Sequence, residues 1–321
     1  MKVFFCKVDG GNFGDDMNEW FWDELFPGHR DIAQDRTLFG IGSILWRQNF
    51  LENKNAVVMG SGSGYGVVPN ELPPGAEVGF VRGPRTARLL GLAPEQAITD
   101  PAAMVSTFGR FSEITANRQI IFIPHVGTAK LPLNWERAAE RAGIHYVSPA
   151  RDSQEVIRTI AGSRLVLTES LHGAIVADAF RVPFVPVSIS PTFNEHKWKD
   201  WAESLLFDVS FRTILGSLTE TPQRLARLKR AFWGPHRTPP GPVDARSHAN
   251  GTRVARVVSA DEKHRARKWA SWFSPIIETM LTRDLKKVAG EKGYLSRDRV
   301  LRERQVQILD RVDEMRNRLT I

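Results

Sequence analysis

Residues 164–187 read RLVLTESLHGAIVADAFRVPFVPV, and this stretch decides the fold. An apolar run ends at Thr168, a short polar turn follows, and the pattern from His172 to Phe180 predicts a helix. A second apolar run, flanked by Pro183 and Pro186, predicts the next strand. Strands joined by a helical crossover lie parallel in one sheet, so the stretch predicts an α/β protein.

His172 stands at the start of this predicted helix, directly after a strand. The carboxyl edge of a parallel sheet is where α/β proteins bind ligands, and the free N–H groups of a helix start favour an anion there. His172 is therefore a candidate functional residue. A histidine that caps the helix or packs against the sheet would give the same pattern, and spacing alone leaves both interpretations open.

Outward from this stretch, short β-branched or aromatic runs alternate with helical patterns over the first two-thirds of the chain. The predicted strands are Val3–Cys6, Ala56–Met59, Val78–Val81, Ile120–Ile123, His145–Val147, Leu165–Leu167 and Phe184–Val187. The predicted helices are Met17–Leu25, Pro84–Leu90, Asn134–Ala142, Ser153–Ala161 and His172–Phe180. Because the apolar periodicity lapses around Thr107–Arg118, we expect α/β domains at 1–112 and 113–232, followed by a segment at 233–321.

Glycine-rich turns follow three apolar runs in the first half of the chain, and each lets the backbone approach a ligand closely. Three such turns at strand ends predict that this half lines a cleft, although simple tight turns are the alternative. The candidate cleft residues in these turns are Asn12, Gly14, Asp15, Gly42, Gly60, Ser61 and Gly62.

Four further polar residues follow predicted strands. Arg82 ends a strand and Arg85 opens a helix, and an arginine there can bind a phosphate or carboxylate with two N–H groups. Asp100 lies in a Thr-Asp-Pro turn and His125 follows another strand. A surface arginine, an ordinary turn and a loop histidine are the respective alternatives.

The composition excludes several classes of protein. The chain has 321 residues, 42% hydrophobic and 25% charged, which is typical of a globular protein. The single cysteine, Cys6, cannot form an internal disulfide, and the apolar start is too short for a signal peptide. No zinc-ligand spacing and no G-x-S-x-G motif is present. We therefore expect a cytoplasmic protein that uses histidine, arginine and backbone dipoles without a metal.

Positive charge is concentrated at the C-terminal end. The net charge is +8, and residues 222–321 carry 23 Lys and Arg against 11 Asp and Glu. This excess predicts contact with an anionic partner or surface, or else solvated helix faces. The basic and aromatic residues that would bind an anionic membrane are Arg265, Arg267, Lys268, Lys286, Lys287, Trp269, Trp272 and Phe273.

The same segment has its own elements. Trp233–Arg253 is rich in proline and predicts a linker, and Lys263–Lys287 predicts a helix. Ser296 is a candidate cap for a last helix that runs to Leu319. Its apolar residues fall near heptad spacing, so this helix packs either on the core or on a second subunit. These residues are Leu301, Ile308, Val312, Met315 and Leu319.

Taken in order, the motifs of residues 1–215 resemble the polysaccharide pyruvyl transferase family, and within it the ketal pyruvate transferases of bacterial exopolysaccharide synthesis, such as the succinoglycan type. The motifs are GGNFGDDMNEWFW from Gly10, GSGSG from Gly60, VRGPRT from Val81, TDP from Thr99 and LTESLHGAIVADAFRVPFVPV from Leu167. The resemblance implies two Rossmann-like domains facing across a cleft, as in GT-B glycosyltransferases. It also implies phosphoenolpyruvate as donor, and as acceptor a glycan sugar, often ketalated across its 4- and 6-hydroxyls. Phosphoenolpyruvate is then a co-substrate, no cofactor is needed, and no nucleic acid takes part.

The resemblance also implies residue roles. His172 matches the family histidine at the helix head, and a group that titrates near neutral pH suits the proton transfers. Arg82 matches an arginine that binds the donor, with Arg85, Ser170 and Gly173 beside it. Many members have an arginine directly before the Leu-His pair, where this chain has Ser170, so Arg85 or Arg164 would supply that charge.

Two other functions remain open at this point. The same fold serves glycosyltransferases that use a nucleotide-sugar, because fold alone does not determine function. A protein that binds a glycan without catalysis would also keep the fold. Phosphate release from phosphoenolpyruvate that depends on a sugar acceptor separates pyruvyl transfer from both.

Overall fold

The computed structural model describes residues 1–69, 71–190, 193–216 and 275–320. These residues form two parallel β-sheets, one of four strands and one of five, with helices around them and further helices at the C-terminal end. The α/β class predicted from the alternation of strands and helices is therefore confirmed.

The first sheet has the strand order β1-β2-β3-β4, with every neighbouring pair parallel. Its strands are β1 (Lys2–Phe4), β2 (Thr37–Phe39), β3 (Ala56–Met59) and β4 (Glu77–Phe80). Strand β3 is buried along its whole length, as expected for a strand covered on both faces. The sequence does not predict β2, because its apolar run consists of only Leu38 and Phe39 before Gly40.

The second sheet has the order β6-β5-β7-β8-β9 and is also parallel throughout. Its strands are β5 (Ile120–Ile123), β6 (His145–Tyr146), β7 (Leu165–Thr168), β8 (Phe184–Ser188) and β9 (Arg212–Thr213). Strands β7 and β8 and the helix between them are the unit that residues 164–187 predict.

The first nine helices lie between strands along the chain, and two more follow the last strand in the part of the chain that the structure describes. They are α1 (Phe13–Asp16), α2 (Phe21–Leu25), α3 (Arg47–Glu52), α4 (Pro84–Leu89), α5 (Val126–Ala129), α6 (Trp135–Arg141), α7 (Ser153–Ala161), α8 (Leu171–Ala179), α9 (Glu195–Ser204), α10 (275–288) and α11 (Asp298–Leu319). The single helix predicted at Met17–Leu25 is wrong, because the chain forms a 3₁₀ turn at Met17–Glu19 before α2.

One hydrophobic core includes side chains from both sheets. Phe21 and Phe80 of the first half belong to the same buried cluster as Ile121 and Ala174 of the second. A 3₁₀ segment at Pro101–Thr107 packs against α8 at the centre of this contact. Apolar packing therefore joins the two halves and brings their loops together.

Helix α11 packs back on the core. Four of the residues at heptad-like spacing are buried: Leu301, Ile308, Val312 and Met315. Met315 lies against Gly79 of β4, where an added Cβ would be 3.1 Å from Met315 Cγ and would overlap the sulfur of Met59 at 2.6 Å. This side of α11 is covered by the protein itself, so the seam is not free to bind a second subunit.

The prediction that Ser296 caps α11 is wrong. Arg297 precedes the first helical residue, and Ser296 binds a carboxylate of α8 instead. Its backbone N–H and its hydroxyl each donate to Asp178, both at 2.7 Å. Asp178 is buried, and buried carboxylates need such donors.

Several predicted features lie wholly or partly outside the described residues. The linker at Trp233–Arg253 is outside, and of Lys263–Lys287 only the part from residue 275 is described, where it is helical. The domain boundaries at 1–112 and 113–232 stay predictions. No helix among the described residues is long and apolar enough to span a membrane.

Candidate active site

Loops at the carboxyl ends of the strands bring the predicted polar residues together. Gly60 follows β3, Arg82 follows β4, His125 follows β5, and His172 follows β7. All strands of a parallel sheet end at one edge, so each sheet contributes several loops to the same region. The candidate site lies where the two sets of loops meet.

His172 is the second residue of α8, and its side chain is only 11% exposed. Its ring lies so close to Gly14 of α1 that a Cβ there would overlap the imidazole. His172 Nε2 lies 3.9 Å from Asp100 Oδ2, beyond hydrogen-bond distance, and neither atom has a hydrogen-bond partner within the described part of the chain. Buried polar atoms without partners are rare, and an oxygen atom of a ligand between these two would satisfy both.

Burial changes the protonation of three groups in this region. Burial, with the positive charges of Lys197 and Arg82, lowers the pKa of His172 to about 3. Burial raises the pKa of Asp15 to about 7 and that of Asp100 to about 6. The prediction that His172 titrates near neutral pH is therefore wrong for the protein alone, because spacing does not reveal the burial of the ring.

The loop before α1 is held against the loop after β2. Asn12 donates from its amide to Asp15 Oδ2 at 2.8 Å, and Asn18 donates to the carbonyl oxygens of Asp15 and Ile41. Gly42 has a φ of +127° and lies beside the Asp15 carboxyl. A glycine fits this backbone conformation readily, and the arrangement leaves Asp15 half-buried.

Arg82 is almost completely buried, with 1% exposure. Its Nε donates to Asp200 Oδ2 at 3.1 Å, Nη1 to Ser43 Oγ at 2.7 Å and Nη2 to the Ser63 carbonyl oxygen at 2.6 Å. Gly62 lies so close that a Cβ there would overlap the guanidinium. The guanidinium thus joins loops of both halves, and its predicted role in donor binding stays a prediction.

Asp200 of α9 binds the start of α4 from the opposite half of the chain. Its Oδ1 accepts from the backbone N–H of Arg85 at 2.9 Å and of Thr86 at 3.0 Å, and its Oδ2 accepts from Thr86 Oγ1 at 2.6 Å. A carboxylate is favourable at the amino end of a helix. Arg85 Nε binds Glu203 Oε1 at 2.9 Å, so this predicted donor-binding residue lies in an ion pair.

Two predicted cleft residues shape the loop after β3. Gly60 has a φ of +97°, and a Cβ there would overlap Phe80 and Pro101. Ser61 is buried and donates from its hydroxyl to the Gly40 carbonyl oxygen. The positive φ and close packing explain the glycine at position 60, and a buried hydrogen bond explains the serine at position 61.

Gly173 and Ser170 shape the start of α8. A Cβ on Gly173 would overlap Thr168 Oγ1, so glycine allows the helix to approach the end of β7. Thr168 Oγ1 accepts from the Ser170 N–H and donates to the Ser170 carbonyl oxygen, both at 3.0 Å. The Ser170 side chain does not cap the helix.

Glu169 joins three loops of the second sheet. Its Oε2 accepts from the backbone N–H of His125 at 3.0 Å, and its Oε1 accepts from those of Ile189 at 3.1 Å and Ser190 at 2.7 Å. His125 itself is half-buried, and its Nδ1 accepts a backbone N–H two residues further on. Burial, followed by the charge of Lys197, lowers its pKa to about 3.

Sequence reasoning missed the contribution of α9. This helix places His196, Lys197 and Asp200 at the site, and burial lowers the pKa of His196 to about 4. Asn194 is a favourable cap whose side chain accepts the His196 N–H, so the start of the helix was recognisable. The sequence gives no sign that these charged side chains are buried.

The arrangement suits acid–base chemistry on an anion. It combines an uncharged imidazole, two carboxyl groups whose pKa values are raised to about 7 and about 6, and a buried ammonium group on Lys197. No group of three His, Cys, Asp or Glu side chains that could hold a metal ion occurs among the residues described.

Comparison with known proteins identifies the family. Residues 110–191, which include His172, match the model of the polysaccharide pyruvyl transferase family. The chain is 39% identical over 235 residues to the succinoglycan biosynthesis protein ExoV of Rhizobium meliloti (strain 1021), which covers 73% of each chain. The chain belongs to the polysaccharide pyruvyl transferase family. This pyruvyl transferase is therefore an enzyme, and the resemblance found in its motifs is confirmed. No solved structure matches it.

Proposed function

We propose that this pyruvyl transferase moves the pyruvate group of phosphoenolpyruvate onto two hydroxyls of one sugar in an exopolysaccharide repeat unit, forming a 4,6-ketal and releasing phosphate. Membership of the family supports pyruvyl transfer, and the ExoV relative, by its name, supports an exopolysaccharide acceptor. The observation that carries the proposal is the pair of unpartnered buried atoms, His172 Nε2 and Asp100 Oδ2, 3.9 Å apart.

In the reaction, two sugar hydroxyls add to the same carbon of phosphoenolpyruvate, and that carbon loses phosphate. A proton is added to the methylene carbon of phosphoenolpyruvate, and the first sugar hydroxyl forms a C–O bond to the adjacent carbon and gives up its proton. The bond from that carbon to the phosphate oxygen then breaks, and phosphate leaves. The second hydroxyl adds to the same carbon and gives up its proton, which closes the ketal.

The buried groups can supply and accept these protons. Neutral His172 is ready to accept the proton of a sugar hydroxyl through Nε2. Asp15 and Asp100, whose pKa values are raised to about 7 and about 6, can hold a proton for the methylene carbon. A bound phosphate adds negative charge near the ring, which raises the pKa of the imidazole toward the neutral range.

Donor binding uses positive charge and N–H groups. Arg82 keeps N–H groups beyond the three that its described bonds use, because a guanidinium has five donors. The start of α8 adds the Gly173 backbone N–H and the Ser170 hydroxyl, which favour an anion. We propose these residues as donor ligands, and Arg85 as a weaker contributor because it is paired with Glu203.

We also propose that the two sheets belong to Rossmann-like domains facing each other across a cleft, as in GT-B glycosyltransferases. Two separate parallel sheets with helical connections support this arrangement. The contact between loops at the carboxyl ends of both sheets supports a ligand site in the cleft.

Acceptor-dependent phosphate release tests the proposed reaction. Purified protein is incubated with phosphoenolpyruvate and β-glucosides or β-galactosides, with mass detection of the product. We expect phosphate release only when the acceptor is present, and a product that carries one pyruvate and has lost the elements of water. Turnover with a nucleotide-sugar and none with phosphoenolpyruvate would contradict the proposal.

We further propose that the enzyme is cytoplasmic and associates with an anionic membrane surface, where a lipid-linked acceptor would be found. The positive charge of residues 222–321 supports this, although the stretch with most of that charge, 222–274, lies outside the described residues. Sedimentation with anionic vesicles is expected to fall at high salt. Equal binding to neutral vesicles, or none to either, would contradict the proposal.

A further inference from the structure

The cations around His172 differ in whether they have a partner of opposite charge. Arg82 pairs with Asp200, and Arg85 pairs with Glu203. Lys197 is 9% exposed, and within the described part of the chain its ammonium group has no carboxylate partner. It is therefore a buried positive charge without a counter-ion.

The side chain of Lys197 is held in a defined position across the contact between the two halves. Its Nζ donates to the Tyr65 hydroxyl at 3.1 Å and lies 5.3 Å from the centre of that ring. Two residues just before Lys197 are also fixed: Asn194 donates to the Gly64 carbonyl oxygen, and His196 Nε2 lies 3.0 Å from Ser63 Oγ. The start of α9 thus fixes the ammonium group against the loop that follows β3.

Lys197 also lies among the groups of the candidate site. Its charge lowers the pKa values of His125, His172 and Asp15, each of which comes from a different element. An ammonium group has three donors, and among the described residues one of them is used. A buried charge is costly unless it is paired, so the remaining donors favour an anion.

We infer that Lys197 binds an anionic group of the donor, a phosphate or a carboxylate, beside His172. The inference rests on the proposed function, in which phosphoenolpyruvate carries both groups. Lys197 would then contact substrate from α9. It accounts for donor binding in a chain whose residue before Leu171 is the uncharged Ser170.

Calorimetric titration of the full chain tests this inference. The ligands are phosphoenolpyruvate, inorganic phosphate and pyruvate, each titrated separately into wild type, Lys197→Met, Lys197→Arg and Lys199→Met. Lys199 is the matched control because it lies on the same helix, its side chain is 41% exposed and it pairs with Glu195. The effect of Lys197→Met on the Kd for inorganic phosphate and on that for pyruvate shows whether the ammonium group binds the phosphate or the carboxylate of phosphoenolpyruvate.

We expect Lys197→Met to raise the Kd for phosphoenolpyruvate at least about tenfold, which corresponds to ~1.4 kcal/mol. Lys197→Arg should keep part of the affinity, and Lys199→Met should stay within about twofold of wild type. The Tm of ligand-free Lys197→Met should be no lower than that of wild type, because the change removes an unpaired buried charge.

A Kd for Lys197→Met within about twofold of that of wild type would overturn the inference. A Tm so far below that of wild type that unfolding explains the loss of binding would also overturn it. Wild type that binds none of the three anions would also overturn it. Failure of the proposed function is distinguishable: anions would bind wild type and lose affinity in Lys197→Met, while phosphoenolpyruvate gave no acceptor-dependent phosphate release.

Discussion

Two polar clusters are buried where the loops of the two sheets meet. The Arg82 cluster consists of Arg82, Thr86 and Asp200. The His172 cluster consists of His172, Asp100, Asp15 and Lys197. In the Arg82 cluster all three guanidinium nitrogens and both carboxylate oxygens form hydrogen bonds. In the His172 cluster, Nε2 of the imidazole and Oδ2 of Asp100 have no partner among the described residues.

The difference separates a structural role from a functional one. A buried network whose atoms are all bonded stabilises one arrangement, and here it joins α4 to α9. Atoms left unbonded in a buried site destabilise the protein unless something else binds them. We therefore expect changes at Thr86 and Asp200 to lower stability and changes in the His172 cluster to lower activity. A change at Arg82, which we propose as a donor ligand, should lower both.

The largest effect is expected for His172→Gln. General acid–base catalysis contributes roughly 10²- to 10⁴-fold, so kcat should fall by that range while the Tm changes little. Steady-state kinetics with phosphoenolpyruvate and a sugar acceptor measure this. His145→Gln, an exposed histidine on β6 of the same sheet, is the control. A kcat of His172→Gln close to that of wild type would contradict the functional role of the His172 cluster.

Asp200→Ala should lower the free energy of unfolding by about 3–5 kcal/mol, because it leaves Arg82 buried without its counter-ion. Urea denaturation measures the loss. Asp208→Ala, just beyond the same helix and exposed, should be close to neutral. A loss below about 1 kcal/mol would mean that the Arg82 cluster is not what holds α4 to α9.

Asp15→Asn should change how stability depends on pH. Folding raises the pKa of Asp15 from 3.8 to about 7, so its neutral form is favoured in the folded protein. That contribution is present in full below pH 3.8 and is lost as pH rises through 7. From pH 5 to 8 the unfolding free energy of wild type should fall relative to Asp15→Asn by about 3 kcal/mol, since one pKa unit corresponds to ~1.4 kcal/mol.

Urea denaturation at several pH values checks the Asp15 prediction. Asp9→Asn serves as the control, because Asp9 is exposed and lies in the same stretch of chain. A difference between wild type and Asp15→Asn that does not change with pH would show that the carboxyl is ionised throughout, as an ordinary surface aspartate is.

The smallest effect is expected for Arg85→Met. Its ion pair with Glu203 is about one-third exposed, and such pairs contribute about 1 kcal/mol or less. We expect a small loss of stability and less than a threefold change in the KM for phosphoenolpyruvate. A KM raised more than about tenfold would restore Arg85 as a main donor ligand, as the sequence predicts.

The sequence predicts the part of the fold that depends on local patterns. Residues 164–187 identify β7, α8 and β8, since buried strands and their crossover helix leave long apolar runs. His172 and the glycine-rich turns are recognisable for the same reason, because each follows a strand. Strand β2 has only two apolar residues and strand β9 has none, so neither leaves such a pattern.

The partners of these residues are not predictable from local patterns. Asp200 meets Arg82 across 118 positions of the chain, and neither residue shows in sequence that it is fully buried. The same holds for Lys197, which looks like one of many solvated lysines on a polar helix. Burial of a charged side chain is set by the packing of distant segments, and so is its pKa.

The most direct test of the central claim is a crystal structure of the enzyme with phosphoenolpyruvate bound. We predict the ligand among the His172 cluster, beside the imidazole and with an anionic oxygen within hydrogen-bond distance of Lys197 Nζ, while the bonds between Arg82 and Asp200 stay intact. The arginines Arg118 and Arg164 lie in a groove of about 390 Å³ at the opposite, amino end of the second sheet. Phosphoenolpyruvate bound in that groove, with the His172 cluster unchanged, would contradict the account.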